Sequence, residues 1–92
     1  SPNCPVKTDN PDVLATAYVK KGKALISLAS WSPQPVECKV TFDWQSLGLD
    51  PNNVTIYAPD VKDFQSERSF GPNEKIPIEP AKGWLLIVDE KR

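Results

Sequence analysis

The sequence contains no histidine. That removes the side chain that most often acts as a general base near neutral pH, the commonest transition-metal ligand, and every Ser–His or Cys–His nucleophile pair. Methionine is absent too, and the chain begins at Ser1, as expected of a piece cut from a longer protein. Cysteine is reduced to Cys4 and Cys38, and two thiolates without a histidine cannot build the usual zinc site. No run of about 18 apolar residues occurs, so no membrane span is expected. No signal peptide is visible. Charge of one sign is also missing. Eleven basic and twelve acidic residues give a net charge of −1, with the signs mixed along the chain. Phosphate backbones and acidic membranes attract concentrated positive charge, so nucleic acid is not an expected partner.

What remains is ordinary globular material, 92 residues with 39% hydrophobic and 25% charged side chains. That length makes one domain. A chain of this size buries about 60–65% of its unfolded surface, so the core is thin. Residues 1–12, "SPNCPVKTDNPD", hold three prolines and no periodicity. They read as a linker or N-terminal strap, leaving 13–92 as the domain.

"VLATAYVK" (13–20) alternates β-branched and aromatic residues, and Lys21-Gly22 reverses the chain. The return strand, "KALISLAS", is apolar on both faces. Ala24, Ile26 and Leu28 point one way; Leu25, Ser27, Ala29 and, just beyond, Trp31 point the other. Ser32-Pro33-Gln34-Pro35 stops the ladder, since proline donates no hydrogen bond. "VECKVTFD" (36–43) predicts a third strand with Val36, Cys38, Val40 and Phe42 inward, giving a meander over 13–43. Cys38 is then a small core residue, although a bridge to Cys4 is the alternative reading. Asp43 is placed to cap one helical turn near 43–49 that Gly48 ends, with Trp44, Leu47 and Leu49 plugging an open end of the sheets. Further strands are expected at "VTIYAP" (54–59), at "DFQSERSFG" (63–71) anchored by Phe64 and Phe70, at an edge in "KIPIEP" (75–80), and centrally in "GWLLIVD" (83–89). About seven or eight short strands with almost no helix predict an all-β, antiparallel β-sandwich.

Chemical signals are sparse. Asp50, Asp60, Asp63 and Glu67 fall in one loop-rich stretch. Glycosidic cleavage needs two carboxyl groups about 5–9.5 Å apart across a cleft, and nothing in the sequence shows one. Calcium binding through Asp60 and Asp63 lacks a supporting loop spacing. Asn53-Val54-Thr55 matches an N-glycosylation acceptor. No catalytic, cofactor or metal residue is assigned. Trp84, between central apolar residues, reads as core, whereas Trp31, Tyr18 and Tyr57 are candidate sugar contacts.

Three motifs together carry a family resemblance. They are Ser30-Trp31-Ser32 after a strand-turn-strand, Trp44 followed by Leu47-Gly48-Leu49, and the terminal Lys82-Gly83-Trp84-Leu85-Leu86. Over about residues 13–89 the chain resembles the C-terminal all-β domain of (β/α)₈-barrel glycoside hydrolases. The resemblance implies a Greek-key sandwich and a catalytic barrel elsewhere in the parent chain, where the catalytic carboxylates lie at the C-terminal ends of the barrel strands. It also implies a secreted or periplasmic setting. No position here matches those carboxylates, so the expectation is a non-catalytic accessory domain that docks against and stabilises the barrel. Its interface would use Leu14, Leu25, Ala29, Trp31, Leu85 and Ile87. The alternatives are an independent carbohydrate-binding module and an immunoglobulin-like interaction domain.

Overall fold

The computed structural model describes residues 4–91. Among them nine strands form in chain order: β1 (Val6–Thr8), β2 (Val13–Lys20), β3 (Lys23–Ser30), β4 (Val36–Cys38), β5 (Val40–Phe42), β6 (Val54–Ala58), β7 (Arg68–Phe70), β8 (Ile76–Ile78) and β9 (Gly83–Glu90). Between β5 and β6 lie one short helix, α1 (Trp44–Leu47), and a 3-10 turn at Pro51–Asn53. Five strands make one antiparallel sheet in the order β2-β3-β9-β6-β7, and two small sheets, β1-β5 and β4-β8, pack on its inner side.

Alternation builds the core. On β3, Ala24, Ile26 and Leu28 are buried; they meet Leu86 and Val88 of β9 and Ile56 of β6. The second layer supplies Val6, Cys38, Val40, Phe42, Ile76 and Ile78 to the same cluster. Trp84 lies on the inner phase and is half-buried. Its indole Nε1–H donates to the Pro77 carbonyl at 2.8 Å, tying β9 to the opposite layer, and its ring meets Phe70 edge-on at 5.4 Å.

The structure differs from the sequence expectations in several places. The strand predicted over 36–43 is two strands, because the chain leaves one ladder and joins another at Lys39: β4 pairs with β8, β5 with β1. The break is filled by Asp9, whose N–H donates to the Lys39 carbonyl at 3.1 Å and whose Oδ1 accepts from the Lys39 N–H at 3.0 Å. Nor is 13–43 a meander. The prolines after Ser32 send the chain to the other layer, and β9 takes the place beside β3. Part of the expected strap, Val6–Thr8, is itself a strand, with Val6 buried.

The helical turn forms as its sequence directs. Asp43 caps α1, accepting from the Ser46 N–H at 3.2 Å and the Ser46 hydroxyl at 2.7 Å, and Gly48 ends it at φ 70°. Leu47 is buried, and Trp44 and Leu49 pack against the core.

Both cysteines are free. Burial pushes the Cys38 thiol above its ordinary pKa. Replacing Cys4 by Ser is therefore expected to shift the denaturation midpoint by the equivalent of less than about 1 kcal/mol, against the 2–5 typical of a lost bridge. The Asp43 cap predicts a pH effect. Hydrogen bonds from Ser46 hold its carboxyl below the ordinary 3.8, so the unfolded chain takes up the proton first as pH falls. The stability advantage over Asp43→Ala should be whole above about pH 4 and shrink as pH drops through the lower folded value, read from denaturation midpoints across that range.

Candidate functional site

Because β3 and β9 are covered on one side only, their alternate side chains meet on an outer face. The register sorts that face into rows. Tyr18, Leu25, Ile87 and Tyr57 lie abreast across β2, β3, β9 and β6. Next come Thr16, Ser27 and Leu85, then Leu14, Ala29 and Gly83. The opposite end carries Lys20, Lys23, Asp89 and Thr55. Trp31 follows β3 in the same phase, its N–H donating to the Asp12 carbonyl at 2.8 Å. All six interface residues expected from sequence thus share one face. Leu14, Leu25 and Trp31 are 49%, 46% and 68% exposed, while Leu85 and Ile87 are partly covered by their neighbours.

The outward side of the second layer is different in kind. Lys7, Glu37, Lys39 and Thr41 stand exposed there. The second layer's outer surface is polar, whereas the large sheet's outer face carries its apolar side chains in the middle and charged ones at the hairpin end.

Sequence reasoning missed one member of the apolar face. Phe64 is not a strand residue in the core. It sits on a tight turn closed by the Val61–Gln65 bridge, with Asp63 at φ 63°, and is 47% exposed. The turn exists because Pro59 has no N–H and β6 cannot continue its ladder with β9. Gln65 completes the pairing instead: its Nε2 donates to the carbonyls of Pro59 at 2.7 Å and Leu85 at 3.0 Å, and its Oε1 accepts from the Leu85 N–H at 2.9 Å. With Gln65 fixed, Phe64 faces Trp31 across a groove of about 430 Å³ floored by Ser27, Ala29 and Gly83. A Cβ at Gly83 would lie 1.9 Å from the Leu28 carbonyl oxygen, so the floor there is bare by necessity.

The three candidate sugar contacts, Tyr18, Trp31 and Tyr57, also fall on this face, but they are spread out. Two strands separate the tyrosines, roughly 14 Å at the usual strand spacing, and Trp31 lies six residues beyond Leu25 along β3. The Tyr57 hydroxyl donates to Glu67, which raises its pKa. Two of the loop carboxylates make local hydrogen bonds and two line a loop pocket. Asp50 accepts from the Asn52 N–H at 2.9 Å and caps the 3-10 turn, Glu67 holds Tyr57, and Asp60 and Asp63 line a shallow loop pocket with Lys62, Ser66 and Lys82. Asn53 is exposed on that 3-10 turn. Among the described residues no three Cys, Asp or Glu side chains converge as a metal ion requires.

Compared with known proteins, the chain matches the family model "Glycoside hydrolase 123, C-terminal domain" over residues 1–89. It matches no curated protein and no solved structure.

Gln65 gives this site its sharpest test. Gln65→Ala leaves the Leu85 N–H and the Leu85 and Pro59 carbonyls without their partner, at a cost of about 2–3 kcal/mol. Urea denaturation should read that loss, and Phe64→Ala, which removes an exposed ring, should cost much less.

Proposed function

The chain belongs to the family of glycoside hydrolase 123 C-terminal domains, and on that premise we propose that it is a non-catalytic module docking against and stabilising the catalytic barrel of its parent chain. The observation that carries this reading is the asymmetry of the two outer surfaces. An apolar face built from Leu14, Leu25, Ala29, Trp31, Leu85 and Ile87 is backed by a complete core. It therefore does not belong to the domain's own packing, and a contiguous apolar patch on a small domain marks a contact site. Burying a few hundred Å² of it contributes several kcal/mol at about 25 cal/mol per Å². Catalysis by the module itself has no support in its carboxylates, since Asp50 and Glu67 are engaged in a cap and a tyrosine contact.

Independent sugar binding is the weaker reading. A sugar platform needs aromatic rings in one short strip with hydrogen-bonding neighbours, and Tyr18, Trp31 and Tyr57 are dispersed over the face. Leu25 and Ile87 stand between the two tyrosines.

The test is to introduce Leu25→Ser and Trp31→Ala into both the 92-residue chain and its full-length parent. The short chain should move by less than about 0.5 kcal/mol, as exposed positions do. The parent should lose stability or solubility. Unfolding of the short chain would return these side chains to its own core and end the proposal.

A further inference from the structure

Two depressions on the outer face differ in chemistry. One is the groove lined by the Trp31 and Phe64 rings, the small residues Ser27, Ala29 and Gly83, and Lys82 as its one charged residue. The other, about 330 Å³, lies at the hairpin end; its floor is Tyr18, Leu25 and Ile87, and Lys20 and Lys23 stand on its rim. Those two lysines are a directly opposed cross-strand pair, an arrangement that like charges disfavour. Lys23 has Asp89 at 3.5 Å, whereas Lys20 and Lys21 have no ion pair among the described residues. The opposite end of the face is balanced, with Lys82 beside Asp60 and Asp63.

Resting on the docking reading above, we propose that the occupant of this face is an amphipathic helix of the parent's catalytic domain, lying along β3. An apolar side chain of that helix enters the Trp31–Phe64 groove, and a glutamate or aspartate reaches the Lys20–Lys23 depression. The dimensions fit. A helix about 10 Å wide covers β2, β3 and β9, which span two strand spacings of about 4.8 Å. Its seat is the low ground of Ser27, Ala29 and Gly83, bounded by Leu14 on one side and Leu85 on the other. From Leu25 to Ala29 is four residues of strand, about 13 Å. At 1.5 Å per helical residue that is about nine positions, so the apolar side chain and the acid take the same-face spacings on either side of it, about eight or eleven positions apart. An acidic side chain also suits the second depression by shape: its methylenes meet the apolar floor and its oxygens meet the ammonium groups.

The experiment uses the intact parent protein. A zero-length carbodiimide reagent should join Lys20 or Lys23 to a carboxylate of the catalytic domain, identified by mass spectrometry of the digest. Lys20→Glu combined with Lys23→Glu, and separately Ala29→Trp, should each speed proteolytic separation of the two domains about tenfold or more. Raised salt should erode the lysine contribution. Thermal melts of the same variants in the 92-residue chain exclude simple misfolding. If Leu25→Ser separates the domains while the lysine reversal does not, and no cross-link reaches Lys20 or Lys23, docking stands and the acidic helix is overturned. If none of the substitutions, Leu25→Ser included, changes the parent, both readings fall together.

Discussion

Everything in this domain depends on the ladder between β3 and β9. Seven residue pairs, from Lys23 opposite Asp89 to Ala29 opposite Gly83, fix which side chains face inward. Ile26, Leu86 and Val88 are completely buried because of that register, and Leu25 and Ile87 are outside for the same reason. A slip of one residue would exchange the two sets and place Ser27 and Asp89 against the core. Since both strands are apolar on each face, hydrophobicity alone sets the register weakly. Other features break the tie: the Gly22 turn at φ 73° sets the β2–β3 register, and Gly83 is the position where a side chain would strike the Leu28 carbonyl.

The second constraint is size. A 92-residue chain has too little material to clothe a five-stranded sheet on both sides. Its second layer is made of four three-residue strands in two separate pairs, β1-β5 and β4-β8, with Leu47 of α1 packed into the same core. That layer covers the inner face and ends there. The apolar outer face is thus what remains when a long two-faced hairpin and a central strand are placed in a domain that can bury only one side of them.

Much of this was legible locally. The hairpin, the β6 and β9 strands, the Asp43 cap and the Gly48 stop are short-range features, and the two faces of β3 follow from period-2 alternation. The expected interface residues came together on one face for that reason. What failed was long-range or rested on a single backbone group. Nothing near Lys39 says that Asp9, thirty residues earlier, takes over its hydrogen bonds. The choice of β9 over β4 as the neighbour of β3 is likewise a decision between distant segments. Phe64 was misplaced because its spacing from Phe70 fits a strand, while the turn that exposes it depends on a side-chain amide replacing a backbone one.

That replacement explains how an exposed aromatic is kept in place. A ring on an ordinary loop would move with the loop, and ordering it on contact would consume part of the binding energy. Here the loop is pinned to the central strand by two hydrogen bonds between Gln65 and Leu85, and by a third to the Pro59 carbonyl where the β6 ladder ends. Trp31 is held in turn by its bond to Asp12, and the buried Ser30 beside it accepts from the Ser32 N–H at 3.1 Å. The backbone that carries both rings is therefore held by hydrogen bonds on either side of the groove. The hydrogen bonds through Gln65 stabilise the domain itself, whereas the two exposed rings add little to that stability.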